Sequence, residues 1–172
     1  MVSRDYSSRM AAALSVGVLV ASVQAPVVAE TGNKACGLLT ASELESTLGV
    51  KVSMSGSGSM EDGKAELCTG ESQTVTVLLR LAKRTAGTGG DAKAGIEAAR
   101  TMGAQVDVKV FGPISCSTVV PPASLAQYGF NTTCTVSKSS AVAGVEVVTK
   151  TQKDMLSIEQ LRPLAEKMVN RF

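Results

Sequence analysis

A chain of 172 residues that is 44% hydrophobic is long enough for one domain with a true core. Its net charge of +2 offers no basic field to hold a nucleic acid backbone. It contains no histidine, which excludes Ser-His-Asp, Cys-His and His-based metal mechanisms.

The first element is a leader. Arg4 and Arg9 give a basic start, Ala11 to Val23 form an uncharged apolar run, and Val27 and Ala29 place small residues before a cut. This is the pattern of a secretory signal peptide over residues 1–29, and the apolar run is too short to span a bilayer. The expected mature chain is a single exported domain over residues 30–172. Setting Arg4, Asp5 and Arg9 aside from 17 basic and 15 acidic residues leaves 15 and 14, close to neutral. No later segment is long and apolar enough to cross a membrane, so no stable insertion is expected after cleavage.

Glu30 to Ala35 reads as a short frayed lead. Thr40 with Glu43 forms a capping box, Leu39 with Leu44 the matching staple, and Gly49 suits a left-handed stop. A short helix is predicted after Cys36, then a strand over Val50 to Met54. Ser55-Gly56-Ser57-Gly58-Ser59 reads as a flexible loop. Met54 and Met60 flank it, but two thioethers without histidine do not make a copper site, and no metal or cofactor is expected.

Ala65 to Leu81 predicts a hairpin that turns at Gly70-Glu71, with Cys68 on the apolar side beside Val75 and Val77. Thr85 to Asp91 is a second glycine-rich loop. It lacks the Gly-Lys-Ser/Thr ending of a phosphate-binding loop and serves as a connector. Asp91 is the predicted cap of a helix with Ile96, Ala99 and Met102 on its apolar side, stopped by Gly103. Val106, Val108 and Val110 mark a one-sided strand that ends at Gly112-Pro113. Phe130, Thr132, Cys134 and Val136 share a face of another strand. Val145 and Val147 continue the pattern over Val142 to Thr151, with Glu146 and Lys150 opposite. Ser157 and Gln160 cap a last helix whose stripe is Ile158, Leu161, Leu164, Ala165, Met168 and Phe172; Pro163 falls within it. Helices interleaved with hairpin-linked strands predict an α+β fold, an antiparallel sheet with helices packed on one face.

Cys36, Cys68, Cys116 and Cys134 all follow the predicted cut, and an even count in an exported chain reads as two disulfides. A zinc site is the competing reading, but there is no Cys-x-x-Cys spacing. Three pairings are possible. The expected one joins nearest neighbours, Cys36 to Cys68 and Cys116 to Cys134, contributing roughly 3–4 kcal/mol each.

Cys36-Gly37-Leu38-Leu39-Thr40 with Glu43-Leu44 and Leu48-Gly49 resembles the opening of small exported bacterial domains of unknown function, many of them lipoproteins. The ending, Ser157 to Leu161 with Leu164-Ala165 and Val169, is similar too. The resemblance covers about Cys36 to Phe172 and implies a PsbP-like α+β fold, paired cysteines in each half, and binding or accessory roles. This chain departs from it in having no lipobox cysteine near the cut and no tryptophan after Cys68.

Catalysis would have to rest on a carboxylate pair or a Ser-Lys dyad. Glu43 and Glu45 point to different sides of a short helix, and Glu61-Asp62 sits in a soft loop, so a histidine-free hydrolase is the weaker reading. The expected function is a non-catalytic binding or interaction module, secreted or periplasmic, for an extracytoplasmic protein or a small ligand. A secreted inhibitor of an extracytoplasmic enzyme is the alternative. The candidate contact loop is Ser117 to Thr133, closed by its flanking cysteines, with Leu125 and Tyr128 as contact residues and Phe130 assigned to the core by its parity with Cys134. Asn131-Thr132-Thr133 also matches a glycosylation acceptor.

Overall fold

Alternation of apolar and polar residues along Val75, Val77 and Leu79 puts three buried side chains on one face of a strand near the middle of the sheet. A computed structural model of the protein describes residues 33–60, 65–84 and 88–172. The predicted signal peptide, Glu61-Asp62, and residues 85–87 of the second glycine-rich loop lie outside the described residues.

Among the described residues, seven strands form one sheet: β1 (Ser53–Met60), β2 (Ala65–Glu71), β3 (Val75–Lys83), β4 (Gln105–Phe111), β5 (Ile114–Val120), β6 (Phe130–Ser137) and β7 (Ala141–Thr149). Their spatial order is β1-β2-β3-β7-β6-β5-β4, and every neighbouring pair is antiparallel. Two meanders therefore meet at the β3–β7 seam. Helices α1 (Ala41–Leu48), α2 (Thr88–Thr101) and α3 (Ile158–Met168) complete the α+β fold.

The core lies on one face. Cys68, Leu79, Val145, Cys134 and Cys116 stand opposite one another in register, with Ser57 and Lys109 at the two edges of the same row. Helix α3 rests on β5, β6 and β7 through Ile158, Leu161, Leu164, Ala165 and Met168, all buried. A 3-10 turn over Lys34–Gly37 sits on β2 and β3, and α1 packs against α3. Both disulfides end in the common row: Cys36 with Cys68 (Cα–Cα 5.0 Å) and Cys116 with Cys134 (Cα–Cα 4.0 Å). The two capping boxes form as read, Thr40 with Glu43 and Ser157 with Gln160, and Gly49 ends α1 at φ 69°.

Several elements differ from the sequence reading. The β2–β3 hairpin turns at Gln73-Thr74 rather than at Gly70-Glu71, since Cys68 pairs with Leu79 and Glu71 with Thr76. Ser72 sets that turn: its Oγ accepts from the amides of Thr74 and Val75. Gly70 is needed inside the strand for a different reason. A Cβ there would stand 2.7 Å from Val52 Cγ1 and 2.8 Å from Met54 Sδ.

Ser55 to Ser59 is not a loop but part of edge strand β1, where backbone pairing to β2 overrides a composition with little to bury. Met54 and Met60 thus lie toward opposite ends of one strand. Residues 33–35 are not frayed: Asn33 caps the first 3-10 turn, its Nδ2 donates to the Leu67 carbonyl, and Ala35 is buried. Helix α2 begins at Thr88, so Asp91 lies within it instead of capping it, and Met102 just beyond it is 60% exposed. Val106, Val108 and Val110 occupy the face away from the core, because Lys109 is the residue of β4 opposite buried Cys116.

One contact closes the helical layer. Glu43 accepts from the Thr40 amide in the capping box while Arg171 Nη1 and Nη2 grip its two oxygens at 2.7 Å each. The Arg171 hydrogen bond is the largest cause holding the Glu43 carboxyl down at about 2. With the folded value below the ordinary one, this contribution is complete above pH 4.5 and is lost as pH falls toward 2. We expect Glu43→Gln to cost about 1 kcal/mol at pH 7, as for a partly solvated bidentate pair, and to flatten the acid limb below pH 4.5. Thermal melts from pH 7 to pH 2 check this, and an unaltered acid limb would contradict it.

Candidate functional site

Nearly half of the segment between the second pair of cysteines lies in the sheet rather than in a loop. Cys116 and Cys134 face each other across β5 and β6, so the disulfide is a rung inside the sheet, and only residues 121–129 leave it. Pro121-Pro122 ends β5 because proline cannot donate to a ladder. A 3-10 helix over Ala123–Tyr128 follows, closed by the Leu125 amide on the Pro122 carbonyl (2.8 Å) and the Gly129 amide on the Ala126 carbonyl (3.1 Å). Gly129 returns the chain to β6 at φ 93°, with its Cα so close to Val148 that a Cβ would stand 2.6 Å from Val148 Cγ1.

The two predicted contact residues part company here. Tyr128 is 73% exposed, whereas Leu125 is half-buried. Phe130, assigned to the core by parity, is half-buried at the start of β6, while Thr132, Cys134 and Val136 on its face are fully buried. Beside Tyr128 opens a cleft of about 180 Å³, walled by the Ser72–Thr76 turn, the Ala126–Gly129 segment, and Val148 to Lys150 on β7 and just beyond. Lys150 Nζ, just beyond β7, donates to the Gln73 carbonyl at 2.8 Å and ties two walls of the cleft together. At roughly six water volumes, the cleft is smaller than the 300–1,000 Å³ typical of enclosed ligand pockets.

No protein-family model matches the chain, and no curated protein or solved structure matches it either. The site is therefore read from its own chemistry.

The open face of the sheet carries a second feature, which sequence reasoning missed. Glu146 stands between Leu78 and Thr133 on its neighbouring strands, and Asn131 Nδ2 donates to its carboxylate. Thr133 Oγ1 in turn donates to Asn131 Oδ1 at 2.8 Å. Burial pushes the Glu146 carboxyl above its ordinary value, and the Asn131 bond only partly offsets this. The signal was available: one glutamate among valines on a strand that both neighbours cover.

This network orders a surface but does not activate a nucleophile, because Thr133 donates to an amide oxygen and not to the carboxylate. Glu43 is held by Arg171, and Glu45 accepts from the Val52 amide, so both helical glutamates have structural partners. Among the described residues no three of His, Cys, Asp or Glu gather as metal ligands would, and no buried side-chain nitrogen or oxygen lacks a hydrogen bond. Asn131 of the glycosylation motif is half-buried and engaged with Glu146 in mid-strand.

The folded state binds a proton at Glu146 more readily than the unfolded chain, so the ionised carboxylate weakens the fold once pH rises past its ordinary range. We expect Glu146→Gln to raise the melting temperature at pH 7 and above, and the gain to vanish at low pH. Melts of both proteins across pH 3 to 8 check it; a pH-independent difference would contradict the burial argument.

Proposed function

We propose that the protein is an exported, non-catalytic interaction module whose contact surface is the end of the sheet carrying Tyr128. The observation that carries this reading is a large aromatic side chain left 73% exposed on a segment that is otherwise fixed at every joint. Two prolines precede it, a glycine at φ 93° where any side chain would be strained follows it, and a disulfide rung joins its two strands. A contact made by such a pre-ordered segment loses little entropy on binding, and tyrosine is a frequent interface anchor.

The small cleft favours a protruding side chain or short polar segment of a protein partner over a carried small molecule. Two disulfides suit an oxidising, extracytoplasmic compartment, which agrees with the leader-like first residues. Kinship with small exported PsbP-like domains belongs to the same proposal and rests on the capping and core motifs given above.

Tyr128→Ser tests it. We expect the melting temperature to move by only a few degrees, because the ring is exposed, while cross-linking to extracytoplasmic partners in the native host falls several-fold. Leu125→Ser, at a half-buried position, should cost more stability than Tyr128→Ser. Undiminished cross-linking by folded Tyr128→Ser would overturn the assignment of this surface.

A further inference from the structure

Strand β4 forms one edge of the sheet, and its outward groups can be read from the ladder. The Cys116–Cys134 Cα separation of 4.0 Å marks a non-hydrogen-bonded pair, and the Ser137 amide on the Pro113 carbonyl (2.9 Å) fixes the same alternation three residues away. The backbone of Cys116 therefore turns toward β4 and bonds Lys109, its register partner. By alternation, the N–H and C=O groups of Val106, Val108 and Val110 point outward from the sheet.

Edge strands of this kind are normally blunted by charge, and β4 carries Asp107 and Lys109 on the helix-side face. The order of those charges changes the conclusion. The seven-residue strand is centred on Val108, so its own antiparallel copy pairs Val108 with Val108, Asp107 with Lys109, Val106 with Val110, and Gln105 with Phe111. Every charge then meets its opposite, and does so at non-hydrogen-bonded positions, where side chains stand closest. Lys109 Nζ bonds Glu159 at 2.6 Å, and an ammonium has further donors for a second carboxylate. On the open face, Val110, 68% exposed in one copy, would lie against Val106 of the other.

We propose that β4 is a self-complementary docking edge whose occupant is the β4 of a second copy of this chain. The two strands pair antiparallel about a two-fold axis at Val108, with about six inter-chain hydrogen bonds continuing one sheet through both copies.

The test is sedimentation equilibrium on protein expressed as the full chain and purified in its exported form, at about 1 to 200 µM, spanning the range of weak to moderate association. The expected wild-type result is a reversible dimer. Val108→Pro should abolish it without loss of far-UV circular dichroism, because the missing N–H points outward and breaks no β4–β5 bond. Asp107→Lys leaves the Lys109–Glu159 bridge in place but sets lysine against lysine, and should weaken the dimer at least about tenfold. Mixing Asp107→Lys with Lys109→Asp should restore association as a heterodimer. A wild-type protein that stays monomeric, or a folded Val108→Pro variant that still dimerises, would overturn the proposal.

Discussion

The structure depends on a single row of side chains that runs from β2 to β5 beneath the helices. Both disulfides end in it, Cys68 on one side of the β3–β7 seam and the Cys134–Cys116 rung on the other, with Leu79 and Val145 between them. Each half of the sheet thus has its own covalent constraint. Each closes a loop that would add roughly 3–4 kcal/mol in the chain-entropy picture, large against a typical net stability of about 5–15 kcal/mol. The first bond holds the 3-10 turn that starts the helical layer; the second stiffens the strands that carry the exposed tyrosine.

This division of labour accounts for what was legible in the sequence. Elements whose signals are local were readable: both capping boxes, the α3 stripe, and the parity of Thr132, Cys134 and Val136. The antiparallel α+β architecture followed from them. Pairing partners were less readable, because they are decided by the rest of the sheet. Gly70 looks like a turn glycine, yet its space is claimed by Met54 of the adjoining strand and by Val52 just before it. The Gly-Ser run of β1 has no apolar face to advertise a strand, and β2 alone makes it one. The valines of β4 alternate clearly, but alternation cannot say which side faces the core; that is fixed by the register with Cys116.

The candidate site was partly legible for the same reason. Tyr128 stands out on composition, in a chain with few aromatic residues, while the half-burial of Leu125 comes from the geometry of the 3-10 helix around it. Parity places Glu146 on the open face of its strand, but its partner, Asn131, is brought beside it only by the β6–β7 register.

The most direct measurement is peptide mapping of the exported protein under non-reducing conditions, with thiol alkylation before digestion. The account predicts two linked peptides, one joining Cys36 to Cys68 and one joining Cys116 to Cys134, and no alkylated cysteine. Alkylated thiols, or bonds crossing between the two halves, would contradict it.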